Sequence, residues 1–261
     1  FYLTYVSYRN LKHYLPLLRP ELVDRELLAL DESMAGGTAP ATILHDLLGT
    51  GAWAYVLSFV YLAFLMFVPA SLGLALVSSS RAREASWYVT ALCLNWSLGT
   101  ASYYLLPSMG PIYAQPSLFW GLPETGTSEL QESLLVSRWF VLADPQGTER
   151  IQSIAAFASL HTSIVFTAAL IAHLVLRSVI IRTVMWVFFA LTAISTIYFG
   201  WHYIVDDIAG LAIGGLSVLI AGWGTGSFRR RTAELDGHEL LDPDGPGSRL
   251  RRRLRATATR G

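Results

Sequence analysis

Apolar residues run along this chain in long unbroken stretches, with neither the period-two alternation of a half-buried strand nor frequent polar interruption. Five stretches, roughly 52–77, 85–106, 154–176, 180–200 and 203–225, reach the length of about 20 residues that a helix needs to cross a bilayer. Charges or turn residues such as Ser78, Ser79, Ser80, Pro107 and Gly226 close them. Residues 1–8 begin Phe1-Tyr2-Leu3-Thr4-Tyr5-Val6 and read as the last turns of a further apolar helix lying mostly upstream. No basic start, short apolar core and small-residue cleavage site of a secretory signal is visible. The pattern predicts an all-α fold, a polytopic membrane bundle of six transmembrane helices with the first mostly missing from this chain. Residues 1–227 form the membrane domain and 228–261 a tail. No internal repeat is evident.

Composition agrees with the pattern. Apolar residues make up 53% of the 261, charged residues 15%, and mean hydropathy is +0.44. A soluble domain carries about 25% charged residues, so there are too few here to coat a globular surface. The same figures exclude disorder, a collagen-like repeat and a nucleic-acid-binding module. The single Cys93 excludes a disulfide framework and a cysteine-based zinc site.

The net charge of zero hides a strong segregation. Arg81 and Arg83 flank one short loop, Arg177 and Arg182 another, and the tail from Phe228 holds nine arginines against five acidic residues. Basic residues in short loops mark the cytoplasmic face. That side therefore carries the tail, a solvated segment suited to anionic lipid head groups and lacking the interleaved aromatics of a nucleic-acid binder. The plasma membrane is the expected location. The opposite face is built from 9–51, which carries Arg9, Lys12, Arg19 and Arg25 and looks helical over 20–32, and from 107–153, which opens on a Pro/Gly-rich run.

Ionisable groups in apolar segments are costly and point to function. His161 lies near the start of one span, and His202 and Asp206 at the start of the last. On a helix, positions 202 and 206 are i and i+4, stacking imidazole over carboxylate. Under the six-helix topology all three reach the same non-cytoplasmic boundary. Two imidazoles and a carboxylate there suit phosphoryl transfer on a histidine nucleophile. The carboxylate fixes one ring nitrogen's tautomer and activates the other, and the second histidine exchanges protons with leaving and incoming oxygens. Backbone N–H groups of Ser159 and Leu160, at a helix start, are candidates to hold the phosphate. Zinc is the rival use of these side chains, without the usual helical His-Glu-x-x-His spacing.

Ala158-Ser159-Leu160-His161, followed about forty residues later by His202-Tyr203-x-x-Asp206 and then Ala209-Gly210, resembles the type 2 phosphatidic acid phosphatase superfamily. The likeness is nearest to its inositol phosphorylceramide synthase and sphingomyelin synthase branch and covers most of the chain. It implies six helices, a site facing away from the cytoplasm, no cofactor and no metal. It makes His202 the nucleophile, Asp206 its orienting partner and His161 the proton donor. The run 107–113 resembles the branch's Pro-rich outer motif and adds Tyr113 to the substrate-binding candidates Ser159, Tyr203, Arg9, Lys12 and Arg150.

The chain departs from the family in places. Ala158 stands where relatives have proline. Ser195-Thr196 stands where hydrolytic members have Ser-Arg, so a phosphate-binding arginine is missing. A dianionic transition state still needs cations, and Arg9, Lys12, Arg19, Arg138 and Arg150 are the outer candidates. Lys12 and Arg19-Pro20 satisfy the hydrolytic Lys-x6-Arg-Pro spacing, but far from its usual place. The missing arginine favours transfer to an alcohol over hydrolysis.

Other polar positions read as structural. Asp207 suits a capping role, His173 an interhelical hydrogen bond, and His13, His45 and His238 the surface. Tyr198 is either a contact to phosphate or lipid or an ordinary interfacial aromatic, Gly210-x-x-x-Gly214 a close helix contact, and Cys93 and Trp96 packing residues. The expected activity is transfer of an inositol phosphate-like head group from a donor phospholipid to a lipid alcohol. Lipid phosphate phosphatase and proton-coupled transporter are the alternatives. Two histidines at one membrane boundary rather than at the midplane speak against transport. Small residues in the last span permit pairing between protomers.

Overall fold

The computed structural model describes residues 1–77, 82–145 and 154–228. Among them every regular element is helical: α1 (Tyr2–Leu18), α2 (Asp24–Met34), α3 (Pro40–Leu48), α4 (Ala52–Val77), α5 (Ala82–Leu105), α6 (Pro111–Ala114), α7 (Gly126–Ala143), α8 (Leu160–Val175), α9 (Val179–Tyr198) and α10 (Ile204–Gly224). Residues 78–81, Arg150 and the basic tail from Arg229 onward, His238 included, lie outside the described residues.

The five apolar stretches become α4, α5, α8, α9 and α10. By length and composition α4, α9 and α10 can cross a membrane, and α8 is apolar but shorter. The chain is an integral membrane helical bundle. Its first helix departs from expectation, because α1 continues to Leu18 instead of ending near residue 8 and carries Arg9, Lys12 and His13 along α5 and α7. The segments between spans are themselves helical, as α2, α3, α6 and α7.

α8 starts later than the hydropathy suggests. Ser159 caps it by accepting the Thr162 N–H at 3.3 Å, and residues 154–158 are held outside the helix by other partners. The N–H groups of Ala156, Phe157 and Ala158 donate to the Ser108 carbonyl (2.9 Å), the Ser108 hydroxyl (3.0 Å) and the Ser102 hydroxyl (2.9 Å).

The centre of the bundle is where α5, α8 and α10 meet. Lipid is as apolar as the helices, so association there depends on close approach and interhelical hydrogen bonds. Asn95, fully buried on α5, donates to Thr167 Oγ1 at 3.0 Å and accepts from Ser163 Oγ, both on α8. Trp87 Nε1 donates to the Val218 carbonyl of α10 at 2.9 Å. Gly210 and Gly214 let α10 press on α8, where added Cβ atoms would lie 2.5 and 2.8 Å from the carbonyl oxygens of Ser159 and Ser163. His173 accepts from Trp186 Nε1 at 3.3 Å, linking α8 to α9. Phe59, Met66, Leu74, Ile180 and Trp223 remain exposed on the bundle's outside, as lipid-facing residues do.

Candidate active site

His202 sits in the turn between α9 and α10. α9 ends at Tyr198, Gly200 takes a left-handed φ of 66°, and the N–H groups of Trp201 and His202 both reach the Thr196 carbonyl (2.9 and 3.3 Å). The Pro/Gly-rich run fastens this turn from outside: Ile112 N–H donates to the Gly200 carbonyl at 2.9 Å, and a Cβ on Gly110 would strike the Trp201 carbonyl oxygen.

His202 thus precedes α10, and its pairing with Asp206 is not a helical i, i+4 stack. Tyr203 is the N-cap, and Asp206, in the first turn, accepts the Tyr203 N–H at 3.0 Å through Oδ2. The same Oδ2 lies 3.4 Å from His202 Nδ1. The pair comes from a helix-start geometry that folds the carboxylate back over the preceding turn. His202 Nε2 is then directed at His161 Nδ1, 3.5 Å away. His161 reaches this point from the first turn of α8, set by the Ser159 cap, the Ser159 N–H to Asp206 carbonyl bond (3.0 Å) and the tight crossing at Gly210. Its ring rests on Tyr61 (centroids 4.7 Å) and Phe64 (4.3 Å) of α4.

Both histidines line a cavity of about 310 Å³. Of the five cations proposed from sequence, Arg9 and Lys12 line it too. Lys12 Nζ donates to Tyr8 Oη at 3.4 Å, lies 5.4 Å from the centre of the Tyr103 ring, and is close enough to both imidazoles to act on them electrostatically. Arg19 instead donates to the Tyr104 carbonyl, and Arg138 faces Asp24. Arg150 is outside the described residues. Trp96 and Trp201 also line the cavity, and neither buried indole N–H finds an acceptor among the described residues. Trp96 packs in the core of the bundle against Tyr5 and Tyr8, as expected from sequence.

The other candidates are placed around the site. Ser159 is fully buried and committed to capping, its N–H taken by Asp206. Tyr203 is fully buried, with its hydroxyl donating to Asp24 Oδ1 at 3.0 Å. Tyr113 donates to the Gln131 carbonyl at 3.0 Å and stands behind Trp201, away from the cavity. Thr196, at the position of the missing arginine, is buried and donates to Asp207 Oδ2 at 3.0 Å, while Thr162 donates to Asp207 Oδ1 at 2.6 Å. Asp207 therefore ties α8, α9 and α10 together. Tyr198 donates to the Gly49 carbonyl at 2.8 Å.

Two histidines expected on the surface are not there. His13 is buried, with Nε2 3.4 Å from the Pro145 carbonyl, because α1 runs on past residue 8. His45, half-buried on α3, donates from Nε2 to the Tyr198 carbonyl at 2.8 Å, and burial pushes its pKa below the usual 6.5.

Sequence reasoning passed over Asp24 and Asp31, both buried on α2. Asp24 accepts the N–H groups of Met109 (2.9 Å) and Gly110 (2.8 Å) besides the Tyr203 hydroxyl. Asp31 accepts those of Ile204 (2.8 Å) and Val205 (3.2 Å), filling the N-terminus of α10 that would otherwise attract an anion. Burial raises the pKa of both carboxyls, opposed by these N–H donors. Their only signal in sequence is the seven-residue spacing that puts both on one face of a helix.

Chemically, the cavity offers one imidazole nitrogen backed by a carboxylate, a second imidazole beside it and two cations. The family model described as PAP2 superfamily matches residues 25–220. No curated protein and no solved structure matches the chain.

Proposed function

The chain belongs to the PAP2 superfamily, whose members are phosphatases and phosphotransferases, and from that premise we propose that it is a membrane phosphotransferase. It moves a phosphoryl-alcohol head group, of the inositol phosphate kind, from a donor phospholipid to the hydroxyl of a lipid alcohol. The observation that carries this reading is the line Asp206–His202–His161, at 3.4 and 3.5 Å, on the wall of a cavity that also holds Arg9 and Lys12.

In the first step His202 Nε2 bonds to phosphorus as the bond from phosphorus to the donor's glycerol oxygen breaks. Protonated His161 gives its proton to that oxygen, releasing diacylglycerol. In the second step His161 takes the proton of the acceptor hydroxyl, whose oxygen bonds to phosphorus as the phosphorus–nitrogen bond breaks. Asp206 holds the proton on Nδ1 throughout and faces the positive ring of the phosphohistidine. Arg9 and Lys12 oppose the charge on the phosphoryl oxygens. These steps use no cofactor or metal.

Transfer is favoured over hydrolysis by the fate of the hydrolytic signature. Thr196, in the arginine's place, is bound to Asp207, and Arg19 is turned to Tyr104, so Lys12 and Arg19 do not form a joint phosphate clamp. The site faces away from the cytoplasm, with the tail cytoplasmic, in the plasma membrane. The histidines stand at one end of the bundle, and Arg177, between α8 and α9, with Arg182, in the first turn of α9, at the other.

A head-group fate assay tests this. Protein in liposomes receives radiolabelled phospholipid donors, with and without diacylglycerol, ceramide or polyprenol acceptors, beside its His202→Ala variant. Label moving into a new lipid only when acceptor is present supports the reading. Acceptor-independent release of phosphate, lost in the variant, makes the chain a phosphatase. Equal behaviour of wild type and variant removes His202 from the mechanism.

A further inference from the structure

The charges around His202 are divided. Arg9 and Lys12 line the cavity, and no acidic side chain does so among the described residues. Four buried carboxylates, Asp24, Asp31, Asp206 and Asp207, lie behind it instead. Two belong to α10. The other two come from α2, a helix outside the apolar bundle.

We propose that Asp24 and Asp31 are positioning residues of the phosphotransfer site, which hold the turn bearing His202. The inference rests on the phosphohistidine reading above and adds to it the parts that set the nucleophile.

The geometry ties α2 to the residues that follow His202. Tyr203 donates its hydroxyl to Asp24 at 3.0 Å, and Ile204 and Val205 donate their N–H groups to Asp31 at 2.8 and 3.2 Å. Three consecutive residues directly after the nucleophile are thereby bound to one helix. Asp24 also fixes Met109 and Gly110, and Gly110 packs on the Trp201 carbonyl directly before the nucleophile. His202 is held from both sides by carboxylates that do not touch it.

Asp206 faces the His202 ring at 3.4 Å, and the other ionisable groups that act on that ring are Asp207 on α10, His161 on α8 and Lys12 on α1. Asp24 and Asp31 bear on it only through the turn they hold, and Arg138 on α7 faces Asp24.

The test is steady-state transfer in liposomes by wild type, Asp24→Asn, Asp31→Asn and Tyr203→Phe. Both Asn variants should lose kcat by about ten- to a hundredfold, the effect of a lost hydrogen bond to a charged group, with KM for the donor within about twofold of wild type. Tyr203→Phe removes only the hydroxyl bond to Asp24, so its kcat should fall less than that of Asp24→Asn. Wild-type kcat in both Asn variants overturns the proposal. So does a loss confined to KM, or a kcat loss that disappears when activity is normalised to folded protein, which is the mark of a merely structural role. Should Asp24→Asn fail to give a monodisperse protein in detergent, Asp31→Asn and Tyr203→Phe decide the matter. Wild-type turnover that does not depend on His202 removes the underlying reading, whereas His202-dependent turnover with unaffected Asp variants removes this inference alone.

Discussion

Gly210→Ala tests whether the α8–α10 crossing sets the distance between the two histidines. In the native packing an alanine Cβ at position 210 would lie 2.5 Å from the Ser159 carbonyl oxygen, where ordinary contact begins at 3.4 Å, so about 0.9 Å must be found. The obstacle is backbone and cannot rotate away. It adjoins the Ser159 N–H bond to the Asp206 carbonyl at 3.0 Å and the Ser159 cap of the helix carrying His161. Parting the helices there moves Asp206 and His202 away from His161. Overpacking of this kind costs about 1–3 kcal/mol, each kcal/mol being about 2–4 °C in Tm for a chain of this size. A misplacement of about 1 Å between reacting groups costs on the order of a hundredfold in rate. The assay is transfer turnover in liposomes together with thermal unfolding in detergent. Gly215→Ala is the control, because the nearest atom to its Cβ is Phe166 Cε1 at 4.0 Å. A Gly210→Ala protein with wild-type turnover and Tm would refute the reasoning, since the crossing would then not control the site.

Three further outcomes are expected. His161→Ala should slow transfer from a lipid donor by about 10²–10⁴-fold, the usual worth of a general acid, and much less from a donor with an activated aryl leaving group; equal losses on both donors would argue against proton donation. Lys12→Met should cost on the order of a hundredfold in kcat/KM while Arg19→Ala, whose guanidinium is bound to the Tyr104 carbonyl, stays near wild type; the reverse ranking in the same kinetics would place the phosphate at Arg19. The folded-state pKa of His45 is pushed below 6.5 by burial, so the unfolded chain binds more protons in the window between the two values and stability rises with pH through it. Tm should therefore fall as pH is lowered below 6.5, and His45→Gln should flatten that slope; an unchanged slope in the variant would place the effect elsewhere.

Much of this molecule is legible in one dimension. An apolar run long enough to span a bilayer must satisfy its backbone within itself, so hydropathy alone yields α4, α5, α8, α9 and α10. His161, His202 and Asp206 are equally visible, because ionisable groups are rare in such surroundings. The Gly210-x-x-x-Gly214 spacing announces the close crossing, and His173 its interhelical bond. Other features answer to partners distant in sequence. α1 runs on through Arg9 and Lys12 because α5 and α7 cover it, and this selects Lys12 and Arg9, rather than Arg19 or Arg138, for the cavity. The start of α8 is set by Ser102 and Ser108, whose hydroxyls stand 56 and 49 residues away from the N–H groups they accept.

Which residues can ionise inside the bundle was determined by the sequence itself, through the local cost of placing charge in an apolar segment. How His202 is aimed was decided by the tertiary structure. Its link to Asp206 comes from the N-terminal turn of α10, and that turn is held by Asp24 and Asp31, 179 and 173 residues earlier in the chain than the groups they bind. No local pattern encodes such a bond, because a buried carboxylate takes on its role only where folding brings it unmatched N–H and O–H donors.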